Sequence, residues 1–141
     1  LARRDVMDVF TPGDHGSTFG GNPLGAAVGL EALSILVDEK LTENSAELGA
    51  YLLAELKQID SPLIRDVRGK GLFIGVEIEP ELASAREVCE ALMERGLLSK
   101  ETLETVVRLA PPLVISKAEV DWAVRQSRAV IAELDEIRLA S

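Results

Sequence analysis

The sequence is poor in the residues that most often identify a chemistry on their own. Its 141 residues include one cysteine, one histidine and one tryptophan, and aromatic residues make up only 4%. The single Cys89 excludes an intramolecular disulfide and fits a reducing compartment. His15 is the only histidine, so a serine–histidine–aspartate triad would have to use it. These shortages exclude a disulfide framework and a histidine-rich metal site.

Long apolar segments and an excess of basic residues are also missing. No apolar run approaches the roughly 20 residues that span a bilayer, and no basic leader precedes an apolar stretch with a cleavage site. Lys and Arg number 15 against 24 Asp and Glu, which gives a formal net charge of −9. An acidic surface repels phosphate backbones. The sequence therefore predicts a cytoplasmic protein with neither a membrane nor a nucleic acid as partner.

The size of the chain limits its organisation. A hydrophobic content of 47% in 141 residues is ordinary for a globular chain and too high for disorder. This length supports one hydrophobic core, or a small domain with an extension. The sequence opens with Leu1 in a segment that has the pattern of folded structure. We therefore expect the chain to be a piece of a longer protein.

Glycine and proline concentrate in residues 11–23, which read TPGDHGSTFGGNP and predict a loop. Asn22 is a good N-cap, and Pro23 suits the first position of a helix because its missing N–H costs nothing there. A helix is predicted over residues 23–40. Its many small residues, interspersed with leucine, isoleucine and valine, predict burial on most sides.

The remainder of the chain alternates helices with short strands. Helices are predicted at 42–59, from Ser84 to just before Gly96, and at 116–139; strands are predicted at 63–68, 72–78, 97–98 and 106–109. This order predicts an α+β fold in which a few antiparallel strands are covered by helices. The pattern by itself does not indicate what the fold does.

Two features carry a chemical hypothesis. In the loop, glycine N–H groups, the hydroxyls of Ser17 and Thr18 and the following helix N-terminus suit a phosphate, although a plain glycine-rich connector gives the same pattern. Arg108 lies inside an apolar strand, where its planar guanidinium suits a carboxylate. The alternative is an arginine that points into solvent or pairs with Glu104. The residues alone leave both alternatives open.

Three separated motifs resemble those of a known family and follow its order. Residues 13–24 read GDHGSTFGGNPL, residues 67–72 read VRGKGL, and the closing segment has GLL at 96–98 and VRLAPPLVI at 107–115. Together they resemble the C-terminal part of the ornithine aminotransferases, a subgroup of the class-III aminotransferases that use pyridoxal 5'-phosphate. The glycine loop is shared by many aminotransferases of this class. The closing segment favours ornithine over acetylornithine or 4-aminobutyrate as substrate.

The resemblance implies a fold-type-I architecture and a homodimer. Residues 1–40 would end the large cofactor-binding domain with its phosphate loop and interdomain helix, and residues 41–141 would form the small C-terminal α+β domain. Ser17 and Thr18, with Thr18 the stronger candidate, match the residues that reach the cofactor phosphate of the other subunit. Arg108 matches the arginine that binds the α-carboxylate of the substrate.

The resemblance also implies a missing part. The lysine that forms a Schiff base with the cofactor lies upstream of the glycine loop in the family, and no lysine of this chain lies in a recognisable Schiff-base segment. The family reaction converts ornithine and a 2-oxo acid into glutamate 5-semialdehyde and an amino acid. The alternatives are another class-III ω-aminotransferase or a non-catalytic remnant module. Leu103 stands where relatives often have histidine, a departure that concerns the support of Arg108 and the substrate preference.

Overall fold

Five helices and four strands make up the part of the chain that the computed structural model describes, residues 2–11 and 13–139. The helices are α1 (Arg4–Met7), α2 (Pro23–Asp38), α3 (Leu41–Lys57), α4 (Ala85–Glu94) and α5 (Lys117–Leu139). The strands are β1 (Ile64–Lys70), β2 (Phe73–Ile78), β3 (Lys100–Thr102) and β4 (Val106–Leu109). The predicted α+β class is confirmed.

The chain divides into two compact units, residues 1–39 and residues 40–141. The first unit contains α1, the glycine-rich loop and α2, and the second contains the sheet with α3, α4 and α5. The assignment of the first unit to the end of a large domain, and of the second to a small domain, stays a prediction.

Within the first unit, the N-terminus of α2 forms as the sequence predicts. The Asn22 side chain accepts a hydrogen bond from the backbone N–H of Gly25 at 2.8 Å, and Pro23 is the first helical residue. The predicted burial of this helix on most sides is wrong for this chain, because α2 has no buried residue. Its own unit offers only a four-residue helix and a polar loop, which are too small to enclose sixteen residues.

In the second unit, a four-stranded antiparallel sheet has the order β1-β2-β4-β3. Successive residues of a strand point to opposite faces, and the face that holds Val67, Val76 and Val107 is buried. On this face α3 packs against β1 and β2, α4 packs against β3 and β4, and α5 packs against both helices with its buried side chains in the same core. The core consists mainly of aliphatic side chains, among them Leu52, Leu56, Leu63, Ile74, Ile78, Val88, Leu92, Val120 and Val130.

Helix caps explain where α4 and α5 begin. The Ser84 hydroxyl accepts a hydrogen bond from the Glu87 N–H, and the Glu87 carboxylate accepts one from the Ser84 N–H at 2.8 Å. Ser116 and Glu119 form the same reciprocal pair at the start of α5. These caps satisfy backbone donors that otherwise lack a partner, and they confirm the two predicted helix starts.

The segment after α4 differs from the prediction. No strand forms at 97–98: the Leu97 N–H donates to the Leu92 carbonyl at 2.9 Å, which closes the end of the helix. Gly96 has a positive φ of 84°, as expected for a residue that ends a helix. After α4, the first residue that pairs in the sheet is Lys100, which lies opposite Arg108. The Leu97 N–H therefore caps α4 and is not available for the strand pairing that was predicted at 97–98.

A close approach between α3 and the β1–β2 turn fixes the helix on the sheet. A Cβ added at Gly49 would lie 2.1 Å from the carbonyl carbon of Gly71, a distance that no real contact reaches. Gly71 itself has φ +55°, and the Leu72 N–H next to it donates to the Ser45 hydroxyl at 3.2 Å. The helix and the turn can meet only while residue 49 lacks a side chain.

We expect Gly49→Ala to lower the free energy of unfolding by about 3 kcal/mol, because the backbone of the turn must move to admit the methyl group. Chemical denaturation followed by circular dichroism measures this loss. Gly29→Ala in α2 is the control: nothing lies within 4 Å of its added carbon, and alanine favours a helix by about 1 kcal/mol over glycine. A Gly49→Ala chain as stable as its parent would contradict this packing.

Candidate functional site

The register of the sheet places Arg108 in a row of basic side chains. Arg68 of β1 lies opposite Gly75 of β2, which lies opposite Arg108 of β4, which lies opposite Lys100 of β3. Residues in one such row point to the same face, and their neighbours Val67, Ile74, Val107 and Leu109 point into the core. The basic row therefore lies on the face of the sheet opposite the helices.

An open cavity of about 370 Å³ lies over this face. Arg68 and Arg108 line it from two sides, and Gly75 between them contributes no side chain. A Cβ at Gly75 would lie 3.1 Å from a Val106 methyl carbon, so the floor of the cavity is tight there. The remaining lining residues are Gly69, Phe73, Ile74, Thr102 and Leu103. A cavity of this size suits a small ligand.

Arg68 is already neutralised. Its guanidinium donates to Asp66 at 2.9 Å and to Glu77. The hydrogen bond from Arg68 lowers the pKa of Asp66, and the hydrogen bonds to Asp66 and Glu77 raise the pKa of Arg68. Arg65 approaches the same Glu77 carboxylate at 3.9 Å. The charge of Arg68 is therefore balanced by carboxylates of the sheet itself.

Arg108 differs from Arg68 in this respect. Among residues 2–11 and 13–139, no carboxylate oxygen lies within 4.0 Å of its guanidinium, although the side chain is exposed on the same face. The predicted alternative of a pair with Glu104 does not form. Its guanidinium carbon instead lies 5.9 Å from the centre of the Phe73 ring. Arg108 thus presents an uncompensated planar donor group to the cavity, which is what binding a carboxylate requires.

The turn between β3 and β4 forms the rim of the cavity and has an unusual backbone. Leu103 and Glu104 have positive φ values of 52° and 65°, which side chains other than glycine rarely adopt. The Ala85 N–H donates to the Glu104 carbonyl at 3.3 Å, and the Thr105 N–H donates to the Leu103 carbonyl at 2.7 Å. Leu103 is left 85% exposed beside the cavity. The sequence pattern does not predict this turn, because neither of its two positive-φ positions is glycine or asparagine.

We expect Glu104→Gly to raise the free energy of unfolding by about 1 kcal/mol, because glycine adopts a positive φ without strain. Thermal unfolding followed by circular dichroism measures the gain. Glu47→Gly, at an exposed position in the middle of α3, is the matched control and should lose about 1 kcal/mol. Equal losses in both variants would show that the left-handed turn stores no strain.

A second cavity, of about 440 Å³, is larger and suits a charged ligand less well. It is lined mainly by apolar residues that include Leu97, Pro111 and Trp122. Glu119 is its one ionisable lining residue, and its carboxylate accepts hydrogen bonds from the Ser116 N–H and hydroxyl. Its larger volume would favour this second cavity as a binding site. Of the two cavities, however, only the smaller one is lined by basic side chains.

In the first unit, Ser17 and Thr18 lie exposed in the loop before α2. Neither hydroxyl has a hydrogen-bond partner among the described residues, so both are available to a ligand. A Cβ at Gly20 would lie 3.0 Å from the Ser17 Cβ, which favours glycine at this place in the loop. Earlier in the loop, hydrogen bonds from Thr11 lower the pKa of Asp14. The two hydroxyls belong to the first unit and Arg108 to the second.

The chain contains five lysines. Lys40, Lys57, Lys70, Lys100 and Lys117 are all exposed. Hydrogen bonds to Asp121 and Tyr51 raise the pKa of Lys117, which keeps its amine protonated, whereas a lysine that attacks a carbonyl needs a lowered pKa.

The described residues show no group of three metal-ligating side chains. Within the same part of the chain, every helix is too short or too polar to cross a membrane.

The family model for aminotransferase class-III matches residues 1–131. The ornithine aminotransferase of Halalkalibacterium halodurans is 62% identical over 126 residues, which cover 89% of this chain and 31% of that protein. The chain therefore spans about a third of the length of the curated relatives it matches. The chain belongs to the class-III aminotransferases, and the resemblance found in its sequence motifs is confirmed.

Solved structures agree with this assignment. The ornithine aminotransferase of Toxoplasma gondii, in a structure with partial occupancy of pyridoxal phosphate, has a TM-score of 0.87 at 42% identity and covers 98% of this chain and 33% of its own. The acetylornithine aminotransferase of Elizabethkingia anophelis has a TM-score of 0.80 at 43% identity, with coverages of 94% and 36%. The fold is that of part of a fold-type-I, pyridoxal-phosphate-dependent enzyme.

Proposed function

We propose that this chain supplies the substrate-carboxylate residue and the cofactor-phosphate hydroxyls of an ornithine aminotransferase. The whole protein would convert ornithine and a 2-oxo acid into glutamate 5-semialdehyde and an amino acid. The observation that carries the proposal is the state of Arg108, which is exposed in a cavity beside a second arginine and has no counter-ion among the described residues. The roles proposed for Ser17 and Thr18 are those of the matching residues in the class-III aminotransferases.

Arg108 would bind the carboxylate that every amino acid and 2-oxo acid substrate carries. Its guanidinium can donate two parallel hydrogen bonds to a carboxylate, and such charge-assisted bonds are about twice as strong as neutral ones. Arg68 competes less for the ligand because Asp66 and Glu77 accept hydrogen bonds from its Nη1 and balance its charge. A substrate carboxylate therefore meets one guanidinium whose charge is not already balanced, and this fixes the orientation of the rest of the molecule.

Ser17 and Thr18 would bind the cofactor phosphate. Their hydroxyls have no partner in the described part of the chain and they precede the N-terminus of α2, a location that favours anions. This donor set fits the phosphate of pyridoxal 5'-phosphate, with Thr18 the stronger candidate. When bound, the cofactor supplies an electron sink for bond cleavage at the substrate carbon. In a homodimer these hydroxyls would serve the site of the other subunit.

The choice of ornithine rests on the curated relatives. Those at 55–62% identity are named ornithine aminotransferase. Solved structures separate the candidates less well, because the acetylornithine enzyme is as similar in sequence, at 43% against 42%. Another class-III ω-aminotransferase is therefore the second candidate, and the TM-scores of 0.87 and 0.80 favour ornithine.

A chimeric enzyme tests the reaction and the role of Arg108. We would replace the matching 126-residue segment of the H. halodurans enzyme with that of this chain and measure turnover of ornithine, acetylornithine and 4-aminobutyrate with 2-oxoglutarate. We expect turnover of ornithine. Arg108→Gln should lower kcat/KM by about 30-fold, which corresponds to the roughly 2 kcal/mol of a charged hydrogen bond.

The matched control is Arg65→Gln, which changes an exposed arginine of β1 that does not line the cavity and should alter kcat/KM less than twofold. Preference for acetylornithine would favour the second candidate. A folded chimera without any turnover would favour a non-catalytic remnant.

The chain by itself should not attach the cofactor at one position. We expect pyridoxal phosphate followed by borohydride reduction to label its lysines in scattered, sub-stoichiometric amounts, because all five are exposed and hydrogen bonds raise the pKa of Lys117. Peptide mass mapping locates the labels. Complete labelling of a single lysine would contradict the proposal and indicate an enzyme complete in 141 residues.

A further inference from the structure

We propose that Phe73 is a positioning residue for Arg108 and that its ring holds the guanidinium over the cavity, where no described residue supplies a carboxylate counter-ion. The proposal rests on the function proposed for Arg108 and extends it, because it names what keeps this arginine both ordered and available.

The register of the sheet brings the two side chains together. Phe73 lies two residues before Gly75 on β2, and Gly75 is opposite Arg108 on β4, so Phe73 and Arg108 are diagonal neighbours on one face. Diagonal neighbours in a sheet are within reach of each other when the side chains are long or aromatic. Here the guanidinium carbon lies 5.9 Å from the ring centre, within the range of a cation–π contact.

Arg68 shows the alternative way of holding an arginine on this face. Its guanidinium is held by Asp66 and Glu77 and its charge is balanced. A ligand carboxylate that approached Arg68 would be repelled by those two carboxylates. An aromatic ring attracts the guanidinium without accepting a strong hydrogen bond, so the five N–H donors of Arg108 stay free for a ligand. Phe73 thus restricts the motion of the Arg108 side chain without neutralising its charge.

The exposure of Phe73 supports a role outside the core. Its side chain is 61% exposed, while its neighbours Leu72 and Ile74 are buried. A large aromatic group so exposed contributes little to core packing. Gly75 helps the contact, because no side chain stands between the ring and the guanidinium on that face.

Arginine side-chain NMR on the 141-residue chain tests the proposal. We would record the Nε–Hε signals of Arg108, Arg68 and Arg128, their heteronuclear NOEs, and their response to glutarate as a carboxylate probe, in the parent chain and in Phe73→Leu and Phe73→Trp. In Phe73→Leu we expect Arg108 to lose its ring-current shift and its order, and glutarate affinity to fall about two- to fivefold. Phe73→Trp should retain all three.

Arg68 is also a diagonal neighbour of Phe73, but Asp66 and Glu77 hold its guanidinium, so its order should change less than that of Arg108. Arg128, which donates to Glu55 away from this cavity, is the internal control and should not change.

The outcomes separate this proposal from the function on which it rests. If the order and the shift of the Arg108 signal are the same in Phe73→Leu as in the parent chain, Phe73 does not position Arg108 and the proposal is wrong, whatever glutarate does. If glutarate leaves the parent Arg108 signal unchanged, the carboxylate role of Arg108 is contradicted, while loss of order in Phe73→Leu still supports the contact. An unchanged dispersion of the amide spectrum shows that each variant is folded.

Discussion

The pairing of β2 with β4 is the contact on which both the core and the candidate site depend. These strands are not consecutive in the sequence, since α4 and β3 lie between them. Their register places Val76 opposite Val107 on the buried face and Gly75 opposite Arg108 on the open face. A slip of one residue would exchange the two faces. It would bury the guanidinium and expose the valine, so the hydrophobic core enforces the position of Arg108.

Local sequence signals predicted the parts of the fold that local chemistry decides. Asn22, Ser84 and Ser116 cap helices as predicted, because a side-chain oxygen at those positions satisfies a backbone N–H a few residues later. The predicted strand at 97–98 does not form. The Leu97 N–H could either pair in a sheet or cap the end of α4, and in the structure it caps α4. Propensity alone does not decide between a helix cap and a strand.

The surroundings of Arg108 could not be predicted from its own neighbours in the sequence. Glu104 is only four residues away, yet the left-handed turn at Leu103 and Glu104 leaves the two side chains unpaired. The residues that decide the state of Arg108 are Gly75 and Phe73, more than thirty positions earlier. Their effect depends on which strands pair and in what register, and this is a property of the whole sheet. The motif identified the arginine, whereas the fold shows that its charge is available.

The overall charge of the chain opposes the approach of a carboxylate group to the cavity. A formal net charge of −9 repels a carboxylate, but at physiological ionic strength exposed charges are largely screened beyond about 8 Å. In the row of Arg68, Arg108 and Lys100, Arg68 pairs with carboxylates and Lys100 lies 4.0 Å from Glu101, whereas Arg108 has no carboxylate within 4.0 Å among the described residues. Asp66 and Glu77 cancel part of this row at Arg68, which leaves the positive potential strongest towards Arg108. The same carboxylates that remove Arg68 from binding thus direct a carboxylate ligand to Arg108.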